Sequence, residues 1–317
     1  MAGVLRFAGS RLAFAALTLV AISMVTFAAT NIVPADPARV ALGKFATPEQ
    51  IAAYNEQQGL DRPVVQRYAT WVGDAVRGDW GTSVLSSQQV TEMVTPRIGR
   101  SLLLALSAML VAIPIAFLLG VYSAQRIGRP SDLVVSTGTL LVNSLPEFVV
   151  GIALLFVFAV QLGVLPIESS AAAMGTGLDQ IRAYVLPVAT LAIVLVPYIA
   201  RMVRASVRDV SGQPFVRSAA LRGVSHRGLV WRHVVPNASL PVVNVIALTM
   251  AELVAGVVII ETVFAFPGIG QLLVSSVGSK DIPVVQIITL VIGLGFVIFN
   301  LLADLAVLAL NPRLRTR

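Results

Sequence analysis

The chain has 317 residues, of which 56% are apolar and 12% charged, with no cysteine and a formal net charge of +7. Soluble domains carry about 45–50% apolar and about 25% charged residues. This composition therefore excludes an ordinary soluble globule, and it excludes disorder, which needs the opposite balance. Without cysteine there are no disulfides, thiolate nucleophiles or thiolate-held metals and iron–sulfur clusters.

A bilayer core of about 30 Å takes about 20 apolar residues per helical crossing. Backbone amides inside it must bond within a helix or a closed barrel. The apolar runs here are continuous and do not alternate at period two, so helices are expected, not barrel strands. Six runs read as crossings: 12–32, 100–122, 133–165, 184–200, 240–260 and 284–308. The apolar stretch of the first, about 20 residues, exceeds the ~7–15 of a signal-peptide core, so a retained helix is expected. The third contains Asn143, Pro146 and Glu147, and is either one helix kinked at Pro146 or two short crossings.

Charge placement chooses between them. With one crossing there and the N-terminus inside, segments 1–11, 123–132, 201–239 and 309–317 face the cytoplasm. They hold 14 of the 23 Lys and Arg, but only Asp132 and Asp209 of the 16 acids. Two crossings would put the Arg-rich 201–239 segment outside, against the positive-inside bias. One crossing and cytoplasmic termini are therefore expected. The net charge then serves orientation and contact with anionic headgroups, and nucleic-acid binding is not expected.

Segment 33–99 is the one sizeable polar insertion, an external subdomain expected to pack on the membrane face. Pro34-Ala35-Asp36-Pro37 reverses the chain. Thr47-Pro48-Glu49-Gln50 is a helix start, with Thr as N-cap, Pro in the first turn and Glu near the positive helix end. That helix should run to about Gln58 and stop at Gly59. A second helix is predicted over 64–76, with Tyr68, Trp71 and Val72 at helical spacing. Gly78-Asp79-Trp80-Gly81 is a turn.

Catalytic signatures are missing. The sequence has no P-loop, and neither a Gly-x-Ser-x-Gly elbow nor a His-Glu-x-x-His helix. His226 and His233, the only histidines, lie in the Arg-rich segment and are a poor metal set. The acids within the runs, Glu147, Glu252 and Asp304, are widely separated. The chain reads as a conduit or scaffold with no catalytic residue, metal site or cofactor of its own.

Segment 201–239 is the most informative. Arg201, Arg204 and Arg208 share a helix face and are expected to snorkel to headgroups at a helix C-terminus. Pro214 suits a first helical turn and Gly223 a left-handed stop. The short helix between them has small residues on one side, which would let another surface dock closely. A second short helix is predicted over 227–234, ending before Pro236-Asn237. Two such helices joined at a glycine form either a rigid lever or an amphipathic lipid anchor.

The pattern Ala219-x-x-x-Gly223, with Pro236 thirteen positions later, resembles the loop of permease subunits of ATP-binding-cassette importers. Pro34-Ala35-Asp36-Pro37-Ala38, Thr47-Pro48-Glu49-Gln50-Ile51 and Gly59-Leu60-Asp61-Arg62-Pro63 resemble the external segment of the dipeptide/oligopeptide permease family, of the first-permease type. Glu261-Thr262-Val263-Phe264-Ala265-Phe266-Pro267-Gly268-Ile269-Gly270 is similar to its signature after the fifth span. Asp281-Ile282-Pro283-Val284-Val285-Gln286, Asn300-Leu301-Leu302-Ala303-Asp304 and Asn311-Pro312-Arg313 are similar to its C-terminal region. Arg217 departs from the leading acid of the general importer loop, and Glu147 and Glu252 stand where neutral or small residues are expected.

The resemblance implies an all-α integral membrane protein with six transmembrane helices of the type I importer permease kind, in a bacterial plasma (inner) membrane. It implies a second homologous permease subunit, two ATPases that hold ATP and Mg, and an external substrate-binding protein. Coupling to an ATPase would fall to 213–235, with Phe215, Ala219, Ala220, Gly223, Val224, His226 and Arg227. The cargo would be di- or oligopeptides, or in the same importer class nickel or another small solute.

Candidates for lining a pathway are Glu147, Glu252, Phe266, Pro267, Gly268 and Gly270. Irregular backbone at membrane depth must be buried or line a cavity, so 266–278 either dips back beside the pathway or is a surface turn. Glu147 either lines the pathway or braces the Pro146 kink, and Glu252 lines it or meets the partner permease. Asp304 is expected to pair with an arginine of the C-terminus. An ion-coupled secondary transporter is the rival function, but it calls for clustered acids and repeats. An intramembrane enzyme would need a catalytic set that the spans lack.

Overall fold

The computed structural model describes residues 2–32, 42, 45–57, 59 and 61–310. The 34–38 motif, Leu60 and 311–313 lie outside these residues. The first helix, α1, spans Ala2–Ile32. Helix α2, Pro48–Gln57, opens with a reciprocal cap: the Gln50 amide donates to Thr47 Oγ1 at 3.3 Å and the Thr47 amide to Gln50 Oε1 at 2.9 Å. Its own backbone N–H and the Thr47 hydroxyl hold the exposed Glu49 carboxyl below its ordinary range.

Helix α3, Val64–Arg77, ends at Gly78, whose φ of 85° is left-handed. Its spacing of aromatics docks it on α1. Phe27 meets Tyr68 edge-on at 5.4 Å and Trp71 at 5.7 Å, and the Tyr68 hydroxyl lies 2.7 Å from Ser23 Oγ. Helix α3 of the polar insertion thus packs against α1.

Helix α4, Val90–Ala124, begins ten residues before the expected crossing and passes through Pro96 and Pro114. An interior proline costs about 3 kcal/mol, but the fully buried Val90 and Val94 anchor the extra turns in a small apolar cluster with Leu272, Val284, Ile287 and Ile288. Asp281 ties down the loop before α4: Ser83 Oγ donates to its Oδ2 at 2.5 Å and the Val84 amide to its Oδ1 at 3.2 Å.

The third run is not a gentle kink. Helix α5, Pro130–Asn143, stops, and α6, Glu147–Leu154, continues through a π-helical stretch, Leu155–Gln161, after a bend of 102°. Pro146 disfavours helical backbone at Leu145 and then serves as the extended N-cap of α6. Next come the one-turn α7, Ala171–Met174, and the long α8, Leu178–Ser211. Helix α8 runs three turns past Ala200, so residues 201–211 belong to it and not to a loop.

Helix α9 is Pro214–Leu221. The short α10, His226–Gly228, passes through a π-helical Leu229–Val234 into α11, Val235–Val263. The expected break before Pro236 is absent. Pro236 follows directly on the π-helical stretch, within the first turn of α11, and Asn237 Nδ2 donates to the His233 carbonyl at 2.7 Å. Helices α12, Ile269–Ser279, and α13, Ile282–Leu310, complete the chain.

Four of these helices are long and apolar enough to cross a membrane, and the bent pairs around Pro146 and Pro241 bring the number to six. The core lies along α4 and α8, the most extensive helix pair. Ala108, Ala112, Ala116 and Gly120 recur every four residues on α4, and the three alanines are fully buried. Small residues let backbones approach where lipid supplies no hydrophobic drive. At Gly120 a Cβ would sit 2.6 Å from Val203 Cβ and 2.7 Å from the Ala200 carbonyl oxygen.

Candidate functional site

Two neighbourhoods hold the residues singled out in the sequence. The first is the bend between α8 and α11. Gln213 is the extended N-cap of α9, with Pro214 in the first turn. Val216 and Ala219, the latter 1% exposed, turn inward, and Val216 joins Val230 and Val234 in the main core. Gly223 takes φ 82°. Its amide donates to the Ala220 carbonyl at 2.9 Å and the Val224 amide to that of Ala219 at 3.3 Å, a Schellman stop. Ser225 then caps α10 by accepting from the Gly228 amide.

Of the residues expected to dock a partner, Phe215, Ala220, Gly223, His226 and Arg227 are exposed and Val224 is half-buried. Ala219 is corrected: it seats α9 on its own chain and offers no surface. Leu221, 90% exposed, and Trp231 also face outward, and the small-residue pattern gave no weight to either. Ser206 Oγ donates to the Ala238 carbonyl at 2.7 Å and locks α8 to the start of α11.

The arginines of α8 do not share one role. Arg204 forms a two-point ion pair with Asp132, 2.9 Å at each contact, and Ser123 Oγ donates to the same carboxylate at 2.5 Å. Arg201 reaches Asn143 Oδ1 at 3.4 Å, and Arg208 is exposed. Headgroup snorkelling is therefore corrected for Arg204. Asp304 pairs with Arg11 of α1 at 3.2 Å; the C-terminal arginines with which it was expected to pair lie outside the described residues.

The second neighbourhood is the hairpin between α11 and α12. Phe264 and Phe266 are fully buried, and Phe266 meets Tyr184 edge-on at 4.9 Å. Arg100 Nη1 donates to the Pro267 carbonyl at 2.7 Å. Glu261 is wholly buried and accepts from the Gly270 amide at 2.7 Å, the Gln271 amide at 3.2 Å and Ser101 Oγ. A Cβ at Gly268 would overlap the Glu261 carboxylate, and one at Gly270 would fall 2.5 Å from Val258 Cα.

The hairpin is therefore a packed knot. Phe266, Gly268 and Gly270 are buried within the chain, and Pro267 is half-exposed. Glu147, in the first turn of α6, lies against Gly256 of α11, where a Cβ would be 2.8 Å from its Oε2. Its carboxylate thus lies at the contact between α6 and α11. The side chain of Glu252 lies outside the described residues. An open depression of about 620 Å³ between 163–166 and the first turns of α7 and α8, with Asp179 and Arg182 on its wall, contains none of the expected pathway residues. Among the described residues no three His, Asp or Glu side chains gather to hold a metal.

A family model described as "Binding-protein-dependent transport system inner membrane component" matches residues 112–316, and the corresponding N-terminal model matches residues 4–105. A probable peptide ABC transporter permease protein, y4tP, of Sinorhizobium fredii is 31% identical over 93% of this chain and 94% of its own. The glutathione transport system permease protein GsiC of Escherichia coli (strain K12) is 34% identical over 94% of this chain and 95% of its own. A crystal structure of an amino acid ABC transporter with histidines superposes with a TM-score of 0.55, at 18% identity, over 69% of this chain and 94% of that one. The last shows the fold, that of a type I permease. On these grounds the chain belongs to the inner-membrane components of binding-protein-dependent transport systems.

Proposed function

We propose that this chain is one of two permease subunits of an ATP-driven importer of peptides, forming half of the pathway and receiving the ATPase motion through 213–235. One observation carries this reading. Helix α9 is fastened to its own chain by Val216 and Ala219 and stopped by a Schellman turn, while Phe215, Ala220 and Leu221 face outward. An anchor for lipid alone needs no such seating. A lever does, because a force applied to its outer face must reach α8 and α11.

In this reading ATP and Mg belong to two partner ATPases, and this chain hydrolyses nothing. An external binding protein delivers the cargo. Both termini face the cytoplasm of a bacterial cell, as the charge distribution favours. Nucleotide-driven closure shifts a two-state equilibrium through differential contacts at the lever. Peptide cargo is supported by the names of the relatives, which include a peptide and a glutathione permease. The test is reconstitution of the complex in vesicles with its binding protein, followed by uptake of labelled dipeptides, glutathione and nickel. ATP-dependent uptake of a peptide supports the reading. Uptake driven by an ion gradient without ATP, or of nickel alone, overturns it.

A further inference from the structure

The first four amides of an α-helix have no partner within it. In α12 the first three are taken by side chains from two other helices. The Ile269 amide donates to Ser101 Oγ of α4 at 2.9 Å, and the Gly270 and Gln271 amides donate to Glu261 Oε2 of α11 at 2.7 and 3.2 Å. Ser101 Oγ in turn donates to Glu261 Oε1. Arg100, the next residue of α4, holds the Pro267 carbonyl at 2.7 Å. The knot is buried: Glu261, Gly268 and Gly270 are all shielded from solvent.

We propose that Glu261 is a positioning residue for transport, fastening the amino end of α12 to α4 and α11 so that the three move as one body between the states of the transporter. A carboxylate suits this. It accepts from several donors at once and is favoured at the positive end of a helix. Sliding α12 along α4 would strand buried amides with no water to receive them, and such groups are strongly disfavoured. The knot also cannot be an accident of local sequence, since Ser101 and Glu261 are 160 residues apart. This inference rests on reading the chain as a permease.

The experiment uses the complete transporter. The chain has no cysteine, so Gly99→Cys on α4 and Val277→Cys on α12, both exposed, accept spin labels selectively. The label-to-label distance is measured without nucleotide and with ATP trapped, beside uptake per ATP hydrolysed. With Glu261 present the distance is the same and narrow in both states. In Glu261→Gln it broadens and uptake per ATP falls roughly fivefold to tenfold, with a smaller change of the same sign in Ser101→Ala. A distance that shifts on ATP trapping in the native background overturns the proposal, as do narrow distances and native stoichiometry in both variants. Where Glu261→Gln fails to assemble, Ser101→Ala decides by the same two readouts. Failure of the permease reading itself shows differently, as absent ATP-dependent uptake with Glu261 in place.

Discussion

Asp132 and Arg204 grip each other at two points, 2.9 Å each, across 72 residues of sequence. The Asp132 side chain is 8% exposed and that of Arg204 30%. Removing one partner leaves a largely buried charge with too few bonds, which costs about 2–3 kcal/mol for this partly exposed pair. Asp132→Ala and Arg204→Ala should each lower the unfolding midpoint of the purified protein, and the double variant should lose far less than the sum. Arg204→Lys should fail to restore it, because an ammonium cannot make the paired contact. Additive losses would show that the pair carries no coupling.

At Gly120 the backbones of α4 and α8 leave no room for a Cβ. Gly120→Val should destabilise the protein by about 1–3 kcal/mol through overpacking, since any Cβ lands on Val203 and the Ala200 carbonyl. Val203→Gly in the same chain removes the colliding Cβ and should recover part of that loss, less the helix cost of a glycine. Thermal midpoints in detergent for the three chains check this; no recovery would mean that the Ala200 backbone sets the limit.

Neighbouring alanines of α9 should behave oppositely. Ala219 is buried and Ala220 exposed. Ala219→Arg forces a guanidinium into the core and should reduce the amount of folded protein in the membrane. Ala220→Arg should leave that amount unchanged and abolish ATP-dependent uptake. Gly223→Val, at φ 82°, should cost about 1–3 kcal/mol of backbone strain and reduce uptake as well. Immunoblots of membranes beside uptake rates separate the cases, and native uptake in Ala220→Arg would remove 213–235 from the coupling route.

Asp281 fastens the loop before α4 through Ser83 and the Val84 amide. Asp281→Ala should free residues 81–89 and raise their cleavage by an external protease in intact cells, while the spans stay protected. Ser83→Ala should give a smaller increase. Unchanged cleavage in Asp281→Ala would show that the loop's own bonds, among them the Thr82–Gln89 bridge and the Ser83–Gln88 contact, hold it without Asp281.

Much of this architecture is readable from local chemistry. The crossings follow from the length of the apolar runs, the α2 cap from Thr47 and Gln50, and the α9 stop from a glycine at the left-handed position. The α4 ladder of Ala108, Ala112, Ala116 and Gly120 is visible as spacing too, although spacing does not name α8 as the partner. Legibility ends where two distant segments meet. A three-and-four spacing of arginines looks alike whether the face meets headgroups or a carboxylate from another helix, so Arg204 read as an anchor. Glu261 stood in plain view within a motif, but its role depends on the hairpin folding the Gly270 and Gln271 amides back onto it and on Ser101, 160 residues away, reaching it from α4. The unbroken passage from the π-helical Leu229–Val234 into α11 across Pro236 was hidden for a different reason: whether a proline stops a helix depends on the register of the turn before it.

Because the Glu261 carboxylate fills the space that any side chain at residue 268 would need, the two positions are not free to drift apart over generations. A descendant that shortens residue 261 releases 268 from glycine, whereas one that enlarges 268 first meets a collision. The order of substitution is thereby constrained, and divergence at this hairpin should pass through position 261 before it reaches 268.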